Sequence, residues 1–109
     1  VLFRSVETPN VFCGIYAIVT RKCLEHPELA PWNPHEKVTV MEALRFYTIN
    51  GAYAAFEENI KGSITEGKLA DLVILDRDPC AVDPEELKEV QVDATILGGR
   101  LVYQREELR

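Results

Sequence analysis

The sequence has no apolar run approaching the roughly 20 residues that a membrane-spanning helix requires, and it has no CxxC pair, no HxH or HExxH pattern and no internal repeat. Each absence removes a class of protein. Without a spanning segment, no membrane partner is expected. Three cysteines, Cys13, Cys23 and Cys80, show no pairing pattern, and their odd count suits a reducing compartment better than a secreted disulfide scaffold. No basic segment followed by an apolar stretch opens the chain, so no signal peptide is expected, and the cytoplasm is the expected location. Cations are outnumbered, with 12 Lys and Arg against 18 Asp and Glu and a net charge of -6. An acidic surface repels phosphate backbones, which excludes nucleic acid as an expected partner. Methionine is nearly missing: Met41 is the only one, and the first residue is Val1. Translated chains begin with Met, so the expectation is that this chain is cut from something longer.

What is present is ordinary globular material. Its 109 residues are 47% hydrophobic, enough for one core and at most one domain. Val6-Glu7-Thr8-Pro9-Asn10 reads as an extended loop, because Pro9 holds Thr8 out of helical geometry. Phe12, Ile15, Tyr16, Val19 and Cys23 then recur at helical spacing, with Arg21 and Lys22 expected in the last turn, where cations complement the helix dipole. Three prolines between His26 and His35 make a loop. Thr39-Val40-Met41-Glu42 predicts a capping box, and Val40, Ala43, Leu44 and Tyr47 supply the buried face of the helix that follows. Asn50-Gly51 is the expected stop, since both residues tolerate the left-handed conformation that ends helices. Ala52 to Phe56 is read as a further short helical turn.

After Glu58 the pattern turns to strand. Gly62 and Gly67 punctuate a short segment before Leu72-Val73-Ile74-Leu75, a continuous apolar run expected to be a strand buried on both faces. Asp83-Pro84 predicts a helix start. Val92–Leu97 and Leu101–Tyr103 predict two strands joined through Gly98-Gly99, a pair suited to a tight hairpin turn. The order is α+β, and three short strands cannot cover the edges and faces of a sheet alone.

No self-contained chemistry emerges from these residues. A catalytic zinc takes three protein ligands and a water, whereas His26 and His35 lie in a loop without ligand spacing and read as surface residues. The cysteines have no base partner. The acidic pairs Glu57-Glu58, Glu85-Glu86 and Glu106-Glu107 point in different directions and read as solvated surface. Gly62, Gly67 and Lys68 match part of a phosphate-binding loop, but Leu69 stands where Ser or Thr would hold magnesium, and a strand follows instead of a helix.

The segments Thr48-Ile49-Asn50-Gly51-Ala52 and Lys61-Gly62-Ser63-Ile64-Thr65-Glu66-Gly67-Lys68-Leu69-Ala70-Asp71-Leu72-Val73-Ile74-Leu75-Asp76, with the hairpin Thr95 to Tyr103, resemble the tail of the amidohydrolase superfamily. Gly14-Ile15-Tyr16-Ala17 and Tyr47 to Ala54 are most similar to the branch that includes N-substituted formamide deformylase. The resemblance covers roughly residues 6 to 104. It implies a (β/α)8 barrel with a metal site at the C-terminal ends of its strands and a composite β-sandwich built from both chain ends. Residues 1–58 would be a remnant of the barrel, with its last helices, and residues 59–109 the C-terminal strands of the sandwich. The missing N-terminal portion of the parent would supply the remaining strands and the earlier metal ligands.

The same resemblance implies a divalent metal, zinc by preference, and a small amide-type substrate in the parent, with neither metal nor catalytic residues in this chain. Alignment on Val6 to Asn10 puts Phe3 where the family has its last metal-ligating aspartate, and Val1 to Ser5 has the look of foreign sequence. Val6, Glu7, Thr8, Pro9 and Asn10 would lie at the pocket mouth. Asn50, Gly51, Gly62, Gly67, Asp71, Gly98 and Gly99 are structural in this reading, with Asp71 satisfying backbone donors at the turn into its strand. The alternative is an independent interaction module whose open sheet edge recruits a partner strand.

Overall fold

The computed structural model describes residues 10–106. Helix α1 (Val11–Thr20) opens at Asn10, whose side-chain oxygen accepts from the Phe12 and Cys13 amides at 3.0 and 3.3 Å. Asn10 is thus a helix cap, a role the sequence reading of an extended loop missed; Val6, Glu7, Thr8 and Pro9 lie outside the described residues. Helix α1 ends earlier than the apolar stripe suggests. Arg21 follows it in the left-handed conformation (φ 60°), so neither Arg21 nor Lys22 is in the last turn, and Cys23 is exposed. The cause is local and tertiary together. The Thr20 hydroxyl donates to the Tyr16 carbonyl and accepts from the Lys22 amide, competing with helix continuation. The Arg21 guanidinium donates to the Trp32 carbonyl and sits 5.2 Å from the Trp32 ring centre, which holds the chain reversal in place.

Helix α2 (Val40–Phe46) starts on the expected capping box. Thr39 Oγ1 accepts from the Glu42 amide at 3.2 Å, and the Thr39 amide donates back to Glu42 Oε2 at 2.8 Å. These bonds hold the Glu42 carboxyl below its ordinary pKa. The next break falls at Thr48, not at Asn50-Gly51. Helix α3 (Ile49–Ala54) contains both residues, and Gly51 is not among the positive-φ glycines. The Thr48 hydroxyl turns back to the Leu44 carbonyl at 2.7 Å, closing α2 without glycine.

The sheet is antiparallel in the order β1-β2-β3, with β1 (Leu72–Leu75), β2 (Val92–Leu97) and β3 (Arg100–Gln104). Leu72, Ile96 and Leu101 stand in register across the three strands, as do Val73, Thr95 and Tyr103 in the next row. Gly98 and Gly99 both have positive φ, 56° and 81°, which is the backbone demand of the two-residue hairpin turn expected there. Between β1 and β2, Pro84–Glu89 forms a 3-10 helix in place of the expected α-helix start, still capped by Asp83 through the Glu85 amide at 2.9 Å.

The core lies on the helical side. Phe12, Ile15, Tyr16 and Val19 of α1 pack with Ala43 of α2 and with Leu87 and Val90 of and after the 3-10 helix. One core therefore joins residues from both sides of the expected 58/59 boundary. Tyr16 is fully buried, its hydroxyl donates to Glu85 at 3.2 Å, Lys88 stands 5.0 Å from its ring centre, and Lys22 pairs with Glu85. This cluster fastens the end of α1 to the 3-10 helix.

The sheet is far less covered. Val73 and Ile74 are 58% and 51% exposed, so β1 is not buried on both faces as its unbroken apolar run predicts. An uninterrupted run of that kind describes a strand with both faces covered, and among the described residues no layer covers Val73 and Ile74.

A polar staple holds the entry of β2. Asp76 accepts from the Gln91 amide at 3.0 Å and from Arg77, and these bonds hold its carboxyl below the usual carboxylate range, the Gln91 contact first. Because the folded-state pKa is depressed, this contribution to stability is complete above the unfolded pKa and is lost as pH falls through the folded value. Asp76→Asn is therefore expected to lie below wild type in stability at neutral pH and to converge with it on acidification. Melting or denaturant curves from neutral pH to below the ordinary aspartate pKa check this, and a constant gap across that range would contradict it.

Candidate functional site

One concavity of the described surface brings together several residues that the sequence marks as structural. A groove of about 580 Å³ runs between α3, the loop at Lys61 to Ile64 and the end of the sheet, with Gly51, Gly62 and Asp71 among its lining residues. Ala52, Leu72 and Ile96 contribute apolar wall. Three of the residues assigned structural roles from sequence thus meet at one place, although they are separated along the chain.

Each has a definite local task. Gly62 has φ 97° and comes against α3 so closely that an added Cβ would lie 2.8 Å from Ala52 Cβ and 3.0 Å from Ile49 Cα. Its neighbour Lys61 pairs with Glu57, which raises the lysine pKa, and the Lys61 amide donates to the Glu57 carbonyl at 3.1 Å. The loop is therefore locked to the end of α3. Asp71 does satisfy a backbone donor, but across the sheet. Its Oδ1 accepts from the Gly98 amide at 2.8 Å, and the Gly99 amide donates to the Ala70 carbonyl at 3.0 Å. The β2–β3 turn is pinned to the entry of β1 by this pair. Gly67 (φ 89°) marks the turn before β1, with nothing within 4 Å of an added Cβ, and Asn50 is exposed on α3.

Four of the groove's polar side chains are already engaged within the chain. Lys61 is held by Glu57, Asp71 by Gly98, the Thr48 hydroxyl by the Leu44 carbonyl, and Ser63 by Thr65 and Lys68. A pocket for a small ligand presents a few convergent polar groups to fix orientation. This one presents mainly hydrocarbon, which suits packing against another protein layer.

Removing the Asp71 clamp is expected to loosen the hairpin. Asp71→Ala would cost about 1 kcal/mol, read as a roughly fivefold faster exchange of the Gly98 amide, whereas Asp71→Asn keeps a side-chain oxygen acceptor and most of the protection. Equal exchange in the alanine variant and wild type would contradict the clamp.

Asn10, the one described residue of the predicted pocket mouth, lines a second hollow of about 560 Å³ with Phe12, Val92, Thr95, Tyr103 and Arg105. It also caps α1. His26 and His35 are exposed in their loop, with contacts only to the nearby Glu28 and Glu36 among their ion pairs. Among the described residues there is no group of three or more His, Cys, Asp or Glu side chains that could hold a metal ion, and no helix long and apolar enough to cross a membrane.

Comparison with known proteins gives this geometry its context. Residues 4–103 match the model of the amidohydrolase family. The chain is 44% identical over 97 residues to an N-substituted formamide deformylase of Arthrobacter pascens, covering 85% of this chain and 18% of that protein. It is 32% identical over 100 residues to the putative amidohydrolase YtcJ of Bacillus subtilis, covering 92% and 19%. It is also 32% identical over 110 residues to a 5-methylthioadenosine/S-adenosylhomocysteine deaminase of Thermoanaerobacter pseudethanolicus, covering 92% and 24%. No solved structure gives a significant match. The chain therefore spans less than a quarter of the length of these relatives, and with its family match running through nearly all of its residues it belongs to the amidohydrolase family.

Proposed function

We propose that this chain is the C-terminal portion of a metal-dependent amidohydrolase that hydrolyses carbon–nitrogen bonds other than peptide bonds, and that it serves the reaction as scaffold. The observation that carries the reading is the family match over residues 4–103 on a chain that spans less than a quarter of its relatives' length. The relatives' names, a deformylase, an amidohydrolase and a deaminase, share cleavage of a carbon–nitrogen bond. The metal, zinc by preference, would supply an activated water when bound, and its ligands are assigned to the remainder of the parent protein. The substrate is a small amide-type molecule, with Val6 to Asn10 at the pocket mouth.

In this reading α1 to α3 are the last helices of a (β/α)8 barrel, and the sheet is the C-terminal share of a composite sandwich. Two observations support it. β1 and β3 are the outer strands of the described sheet, each paired with β2. Large apolar side chains stand open on the strands, Val73, Ile74, Leu97, Leu101, Val102 and Tyr103 among them. A monomeric surface rarely gathers apolar residues this way unless something covers them. The missing N-terminal portion of the parent is the expected cover.

The same outer strands are what an independent interaction module would offer to a partner strand, and one experiment separates the two. The purified 109-residue chain is expected to bind a hydrophobic dye at room temperature and to self-associate at micromolar concentration. A monomeric, dye-negative chain with a single cooperative transition would favour the module instead.

A further inference from the structure

We draw no further inference here: the strongest candidate, the largely apolar groove between α3, the Lys61 to Ile64 loop and the edge of β1, has Thr48, Lys61, Ser63 and Asp71 already engaged within the chain, and nothing in the structure shows what covers it beyond the parent-protein reading already given.

Discussion

Gly62→Ala is expected to be among the most damaging single-methyl changes in the described chain, costing about 2–5 kcal/mol. Two separate penalties combine there. A Cβ at φ 97° meets left-handed backbone strain of roughly 1–2 kcal/mol. The same Cβ would lie 2.8 Å from the Ala52 Cβ and 3.0 Å from the Ile49 Cα. Neither atom is the tip of a flexible side chain, so relief requires the loop or α3 to move, an overpacking cost of roughly 1–3 kcal/mol. Gly67→Ala is the built-in control. Its φ of 89° carries similar strain, but an added Cβ meets nothing within 4 Å. It should cost only about 1–2 kcal/mol. Hydrogen exchange of the Ala55 and Glu57 amides, which bond to the Gly51 and Ala52 carbonyls, reads the difference directly. Gly62→Ala should accelerate them about fivefold or more relative to Gly67→Ala; equal rates in the two variants would show that the close approach to α3 has no energetic weight.

Leu87→Ala is expected to cost about 2–5 kcal/mol, the range for deleting a buried leucine side chain and leaving a partly collapsed cavity. Leu87 is fully buried although its helix is a single short 3-10 segment, and it belongs to the cluster with Ile15, Tyr16 and Ala43. A 3-10 turn has poor hydrogen-bond geometry and little stability of its own, so this side chain supplies the apolar part of what fixes the turn to α1, beside the Tyr16–Glu85 contact. Tyr16 responds differently to its two possible changes. Tyr16→Phe retains the ring under Lys88 and loses only the bond to Glu85, about 1 kcal/mol. Proteolysis within residues 77–90, compared at matched temperature, should accelerate strongly in Leu87→Ala and only slightly in Tyr16→Phe. Indistinguishable cleavage in Leu87→Ala and wild type would remove this residue from the core.

Where bonding is local, the sequence was readable. The Thr39–Glu42 capping box, the Gly98-Gly99 hairpin and the buried stripe Phe12, Ile15, Tyr16, Val19 all formed as their spacing predicts. Asn10 could have been found as well, since a capping residue one position ahead of a periodic apolar segment is a helix-start signal. The end of α1 could be placed only in part from local pattern, because beside the Thr20 hydroxyl's local bonds Arg21 is held by Trp32 across a proline-rich loop. Asn50-Gly51 misled for a simpler reason. Two residues that tolerate a helix end do not enforce one, and the Thr48 hydroxyl breaks the chain before them.

The site was legible only as a set of residues. Gly62 and Asp71 were marked as structural, but that Gly62 abuts α3 and Asp71 reaches the opposite hairpin are tertiary facts with no periodic trace. The exposure of β1 has its own lesson. Its sequence describes a strand buried on both faces, whereas Val73 and Ile74 stand exposed and only Leu72 and Leu75 are half-buried. An apolar run left partly exposed is what the proposed parent-protein reading expects of a strand whose cover lies elsewhere in the protein.

The most direct test is to read the coding sequence upstream of Val1 at its native locus. The account predicts an open frame continuing through a barrel of roughly 250 residues, with an HxH pattern near its first strand and an aspartate in place of Phe3. A native frame that opens at Val1, with no metal-ligand pattern before it, would contradict the account and leave a strand-recruiting module as the reading to pursue.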